Sequence, residues 1–134
     1  IRLSFKSSSG TIPLVVNTSG VITTANSSKR YKENIKPVED AVLDPNGLYD
    51  VQVCQYNYKP EYKDNELVSG TQIGVIAEDL DKHYPNAVIY DSEGRPESWQ
   101  DRIMIPAMLK LIQDQKKQLD ALQAEVDALK AKLQ

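Results

Sequence analysis

Ile105, Met108, Ile112, Gln115, Leu119, Leu122, Val126, Leu129 and Leu133 follow one another at alternating steps of three and four residues. That is the heptad spacing of a coiled coil, in which the first and fourth positions of each seven (a and d) form one apolar seam. Only Gln115 interrupts it. No Gly or Pro follows Pro106, which falls in the first turn, where a missing N–H costs least. The pattern predicts one helix over 101–134, of roughly 32 residues and about 48 Å at 1.5 Å per residue. Its first part, Ile105 to Ile112, suits the buried face of a helix on a small core. Leu119 to Leu133 does not, because the chain holds no second long amphipathic helix to lie along it. A second copy of the chain is the natural partner. On this assignment Glu125 takes a g position and Lys130 the following e position, where parallel strands exchange ion pairs that contribute little energy but help set orientation. Gln115, at d, restricts register more than it adds stability. Mixed Ile, Leu and Val at a, with Leu and Met at d, leaves strand number open.

Upstream of the helix the texture changes twice. Residues 1–26 are rich in Ser, Thr and Gly, carry only Arg2 and Lys6 as charges, and hold short apolar runs at Ile12–Val16 and Val21–Ile22. These read as strands around a turn at Asn17-Thr18-Ser19-Gly20, because Asn and Gly tolerate the positive φ of a tight hairpin. A lone hairpin is marginal in water and needs a partner surface. Residues 27–100 give mixed signals. Pro37 with Val38, Ala41, Val42 and Leu43 predicts a short helix, stopped by Asp44-Pro45-Asn46-Gly47. Tyr49 to Tyr58 alternates apolar and polar residues, as a half-buried strand does. Ile73–Ile76 predicts another strand, running into a short helix over Ala77–His83 that Pro85 closes. Ala87–Tyr90 and Glu97–Gln100 bracket Asp91-Ser92-Glu93-Gly94-Arg95-Pro96, a hairpin loop by composition.

Bulk properties narrow the function. A net charge of -3 and a pI near 5.2 offer no general attraction to nucleic acid or to a membrane. No run of about 18 apolar residues is present, and the N-terminus has no charged-then-apolar export pattern, so a cytosolic protein is expected. The start at Ile1, without Met, suggests a fragment of a longer polypeptide. Cys54, the single cysteine, lies in an apolar run and reads as a small buried hydrophobe.

Chemistry is concentrated in Ser27-Ser28-Lys29-Arg30-Tyr31-Lys32-Glu33-Asn34-Ile35, where the Ser/Thr-rich segment gives way to the charged one. A serine hydroxyl is a weak nucleophile until a base takes its proton, and a neutral amine can do so without histidine. Lysine in water is almost wholly protonated at neutral pH, with a reference pKa of about 10.4. Lys32 could act only where burial or neighbouring cations, such as Lys29 and Arg30, favour the neutral amine. Ser and Lys five residues apart are common, so the pair alone carries little.

The surrounding pattern carries more. Ser27, Lys32 and Asn34-Ile35 resemble the opening motif of the self-cleaving intramolecular chaperones at the C-termini of endosialidase tail spikes, phage neck appendages and tail fibres, found also in myelin regulatory factor. The likeness continues through the Tyr-rich stretch Tyr49–Tyr58, Ile73-Gly74-Val75-Ile76-Ala77-Glu78, Pro85 and the long final helix, covering Ser27 to Gln134. Ser28 and Tyr31 depart from the family's usual Asp and aliphatic residue, and Ser28 is an alternative nucleophile, though spacing favours Ser27. The resemblance implies a homotrimer, a Ser27–Lys32 dyad that cuts at Asn26-Ser27, and Asn34 as either an oxyanion donor or a turn residue. It implies no cofactor, and it places the chain in a host cytoplasm during phage assembly, with release from the mature virion protein.

Other candidates read as structure. His83 suits a helix C-terminus better than a metal or base role. Glu78, Asp79 and Asp81 sit at adjacent helical positions, as a solvated face rather than a cation loop. Tyr49, Tyr56, Tyr58 and Trp99 suit sheet packing better than sugar binding. The expected fold is α+β, with residues 1–26 ending an upstream β-rich shaft, 27–100 forming a small mixed domain and 101–134 a parallel trimeric coiled coil. Three rivals remain: a permanent trimerisation tip that never cuts, a receptor- or glycan-binding fibre tip, and a membrane protein like myelin regulatory factor, which the Ser/Thr/Gly-rich upstream strands disfavour.

Overall fold

A computed structural model describes residues 13–39, 44–62 and 70–134. The chain divides into two compact units, Ile1–Pro37 and Val38–Gln134. In the first, β1 (Leu14–Val16) and β2 (Ile22–Thr24) form an antiparallel hairpin that pairs Leu14 with Thr24 and Val16 with Ile22. Asn17 makes the turn. Its Oδ1 accepts the N–H groups of Ser19 (3.0 Å) and Val21 (2.9 Å), and Gly20 supplies the left-handed φ of 76°. Leu14, Val16, Val21 and Ile22 remain exposed, so this hairpin buries little of its own apolar surface.

The second unit holds the core. A 3₁₀ turn over Pro45–Asp50 leads to β3 (Val53–Tyr56), which pairs antiparallel with β4 (Gln72–Val75). Helix α1 (Ala77–His83), a 3₁₀ turn at Pro85–Ala87 and the hairpin of β5 (Val88–Tyr90) with β6 (Pro96–Trp99) follow, then α2 (Asp101–Lys132). Leu80, Tyr84, Ala87, Val88, Met104 and Ala107 are buried together, with Leu48, Val51, Val75 and Ile103 packed around them. Two close joints hold these elements. The Gln100 N–H, just before α2, donates to the Ala87 carbonyl at 2.8 Å. Gly47 lies so near the end of α1 that a Cβ there would stand 1.9 Å from the His83 carbonyl oxygen, so only glycine fits.

The long helix, the mixed α and β composition, and the hairpins around Asn17–Gly20 and Asp91–Pro96 match expectation. Three details differ. The Tyr49–Tyr58 strand is shorter, because Asp44 caps a 3₁₀ turn (its Oδ1 takes the Asn46 N–H at 3.0 Å) and Pro45 is buried within it, which keeps residues 45–50 out of the sheet. Asp79 and Asp81 are clasps rather than a solvated face: Asp79 Oδ2 accepts the Gln52 N–H at 2.9 Å, and Asp81 accepts the Tyr90 hydroxyl, a bond that raises the Tyr90 pKa. His83 ends α1, but the closing bond runs from the Tyr84 N–H to the Leu80 carbonyl at 2.7 Å. The short helix expected after Pro37 involves residues 40–43, which lie outside the described residues.

α2 carries two apolar stripes. Met104, Ala107 and Leu111 are buried, the first two within the core and Leu111 at the floor of the helix's packed side. Ile105, Met108, Ile112, Leu119, Leu122, Val126, Leu129 and Leu133 are exposed within the chain. The sequence reading allowed Ile105 to Ile112 either a core face or a place in the seam between copies; within the chain the buried positions lie one residue earlier, at Met104, Ala107 and Leu111.

Candidate functional site

The loop at 27–35 is built around one tight turn. Ser28 caps a 3₁₀ turn over Lys29–Tyr31: its Oγ accepts the Arg30 N–H at 3.4 Å, and its carbonyl accepts the Tyr31 N–H at 3.1 Å. The Lys32 N–H then closes onto the Lys29 carbonyl at 3.1 Å. A 3₁₀ turn advances about three residues per revolution, so a long side chain just after it can return toward the residue that precedes its cap. Lys32 does so, and its Nζ lies 3.0 Å from Ser27 Oγ. The five-residue spacing therefore spans the cap residue Ser28 and the three-residue turn Lys29–Tyr31. Ser28 Oγ is engaged in the cap, while Ser27 Oγ meets the amine.

Neighbouring residues shape the surroundings. The Thr24 hydroxyl donates to Asn26 Oδ1 at 3.3 Å, which holds the residue before Ser27. The Arg30 guanidinium lies over the Tyr31 ring, 5.0 Å from its centroid. Asn34 has a φ of 53°, the one left-handed non-glycine position among the described residues. Asn tolerates that conformation better than most side chains, so the backbone alone gives a reason for Asn here. Ser27, Lys29, Lys32, Glu33, Asn34 and Ile35 line an open concavity of about 630 Å³. Ser27 and Lys32 are both exposed.

The arrangement supports one chemistry well. In the observed bond the lysine ammonium donates to the serine oxygen. Catalysis needs the same pair reversed, with the hydroxyl donating to a neutral amine. Ser27 Oγ is already tied through its own backbone to the Asn26 carbonyl carbon, so attack there closes a five-membered ring. Among the described residues no group of three or more His, Cys, Asp or Glu side chains is placed to hold a metal ion, and no helix is long and apolar enough to cross a membrane.

The second unit carries a separate feature, an open groove of about 520 Å³. One wall comes from Tyr49, Val53 and Ile73, and the other from Ile105, Met108 and Ile112 of α2. At its lower end Gln115 Nε2 donates to the Tyr49 hydroxyl at 3.0 Å. The sequence identified Gln115 as the polar break in the seam. It missed Tyr49 as its partner, because alternation placed Tyr49 in a strand.

Residues 27–89 match the family model Peptidase_S74, chaperone of endosialidase. The match begins at Ser27, the first residue of the motif that resembles this family, and ends in the middle of β5. The match stops short of α2. No curated protein matches the chain.

Proposed function

We propose that this chain, with its chaperone-of-endosialidase segment, joins three copies of a phage tail spike, fibre or appendage in register and then releases itself by cutting Asn26-Ser27. The family description supplies the chaperone role and, through its peptidase name, proteolysis in general. The dyad, the cut and the trimer are our reading. The observation that carries it is the 3.0 Å approach of Lys32 Nζ to Ser27 Oγ at the first residue of the family match.

The reaction proceeds within one chain, since both members of the dyad come from a single turn. Neutral Lys32 takes the Ser27 hydroxyl proton as Oγ bonds to the Asn26 carbonyl carbon. The C–N bond then breaks, and the proton passes from Lys32 to the departing Ser27 nitrogen, leaving an ester at Oγ and a free amine. Water, activated by the amine, hydrolyses the ester to an Asn26 carboxylate and regenerates the Ser27 hydroxyl. Each chain turns over once. Assembly would withdraw water from the site, so cutting follows association.

The three-copy coil uses the exposed seam from Ile105 to Leu133. Strand pairing between chains is slow and exposes sticky edges, which gives a registering device its purpose. The partners are two further copies and the upstream β-rich domains of the same chain, in the host cytoplasm during virion assembly. Once the device is lost, the shaft cannot unfold by the route it folded.

A denaturing gel of the expressed chain tests the cut. Wild type yields a fragment beginning at Ser27, whereas Ser27→Ala and Lys32→Ala each remain full length and Ser28→Ala cuts normally. Equal intactness of wild type and both dyad variants removes the protease and leaves a permanent oligomerisation tip.

A further inference from the structure

β3 and β4 pair Val53 with Val75 and Gln55 with Ile73, so these four side chains share one face of the hairpin. A strand with apolar residues on one face signals that the face is covered. Val75 meets this demand by packing against the core. Val53 and Ile73 do not, at 70% and 78% exposed. They stand at the rim of the groove whose opposite wall is Ile105, Met108 and Ile112, which are exposed too. A two-stranded sheet with a bare apolar face is marginal by itself, so an occupant is needed.

The groove's own geometry names the occupant. Its helical wall is the upper end of the heptad seam, which continues without change of spacing through Leu119, Leu122, Val126 and Leu129. A parallel helix matched to that seam at Leu119–Leu129 must bring its own residues 105–112 to the level of the groove, because both follow the same seven-residue repeat. Helices in such contact lie about 8–10 Å apart, close enough for the sheet wall to reach the neighbour. A partner of unrelated sequence would have to reproduce that repeat over four turns.

We infer that the β3–β4 hairpin is a clamp for a second copy of this chain: Val53 and Ile73 of one copy close over the first three turns of α2 from its neighbour. The clamp adds a contact from the α+β domain to the coil. It makes correct helix register a condition for covering the sheet, so the coil reports its alignment to the domain that carries the family match. Gln115, hydrogen-bonded to Tyr49 in the groove, marks the boundary between the clamped and the free seam. This inference rests on the self-association proposed above.

Photo-crosslinking distinguishes the two. A benzophenone amino acid is placed at Ile73 in one full-length variant and at Leu129 in another, both carrying Ser27→Ala to prevent loss of the upstream part. Irradiation of the Ile73 variant is expected to give interchain adducts on a denaturing gel, mapping by mass spectrometry to residues 101–112 of the neighbour. Adducts from position 129 without any from position 73, or adducts from 73 that map elsewhere, overturn the clamp and leave the coil standing. Absence of adducts from both positions removes the coil and the clamp with it. As a second reading, Ile73→Lys should weaken association at least tenfold in sedimentation equilibrium while the circular dichroism of the helix is retained at matched assembly. Unchanged association contradicts the clamp.

Discussion

Met104, Ala107 and Leu111 are buried, while Ile105, Met108 and Ile112, on the same three turns of α2, are exposed. A rotation of one residue separates a stripe that folds the chain from a stripe that the chain alone cannot use. Below Ile112 only the second stripe continues, and from Gln115, whose side chain reaches Tyr49, to the end of the helix every residue is exposed. The first unit repeats the contrast in β form, as β1 and β2 close a well-made turn yet leave Leu14, Val16 and Ile22 exposed. Folding of one copy is thus encoded mainly in the short stretch from Pro45 to Leu111. The assembly proposed above would draw on residues that gain little burial within one chain.

This difference can be broken at its two ends. The largest effect belongs to the core. Leu80 is 0% exposed, and Leu80→Ala should cost about 2–5 kcal/mol through lost burial and a residual cavity. In thermal melts its deficit should be the same at every chain concentration. Leu129→Ala should act on assembly instead. Truncating a seam leucine removes most of about 1.5–3 kcal/mol of burial per chain, and its effect should grow as the protein is diluted. If dilution alters both variants equally, the two stripes are not separate in function.

A smaller effect sharpens the description of the folding half. Asp91 Oδ1 accepts the N–H groups of Glu93 (2.8 Å) and Arg95 (2.9 Å), while its Oδ2 meets Arg95 Nε at 2.7 Å. Backbone and side-chain hydrogen bonds from Arg95 hold its pKa below the ordinary 3.8. A carboxyl with a lowered folded pKa contributes stability that is fully present above its unfolded value and is lost as pH falls through the folded one. Asp91→Asn should therefore lower stability at neutral pH, where the carboxylate's contribution is fully present, and converge with wild type as pH falls below about 4, which flattens the acid limb of the melting curve. An acid limb identical to wild type would mean that this turn does not sense protons.

What could be read in the sequence follows the same division. The 101–134 helix was legible because a three-four repeat over nine positions has no other ready structural meaning, and Asn17–Gly20 because its residue types suit only a few backbone shapes. The resemblance that the 27–35 motif carries agrees with the family-model match over 27–89, and a single 3₁₀ turn capped by Ser28 accounts for the spacing of Ser27 and Lys32. Periodicity finds faces of an element without saying what covers them, so it could not separate Met104-Ala107-Leu111 from Ile105-Met108-Ile112. It also misplaced Tyr49, because the Asp44-Pro45 turn outweighs local alternation and delays β3 to Val53. Asp79 and Asp81 looked solvated because their partners, the Gln52 N–H and the Tyr90 hydroxyl, lie on other elements.

The most direct test of the account joins its two halves: the mass of the wild-type chain followed over time after refolding at a series of concentrations. The account predicts a product beginning at Ser27, formed at a rate that rises with concentration and levels off once the chain is fully associated. A chain that keeps its intact mass throughout, or one that cuts at the same rate however far it is diluted, would contradict it.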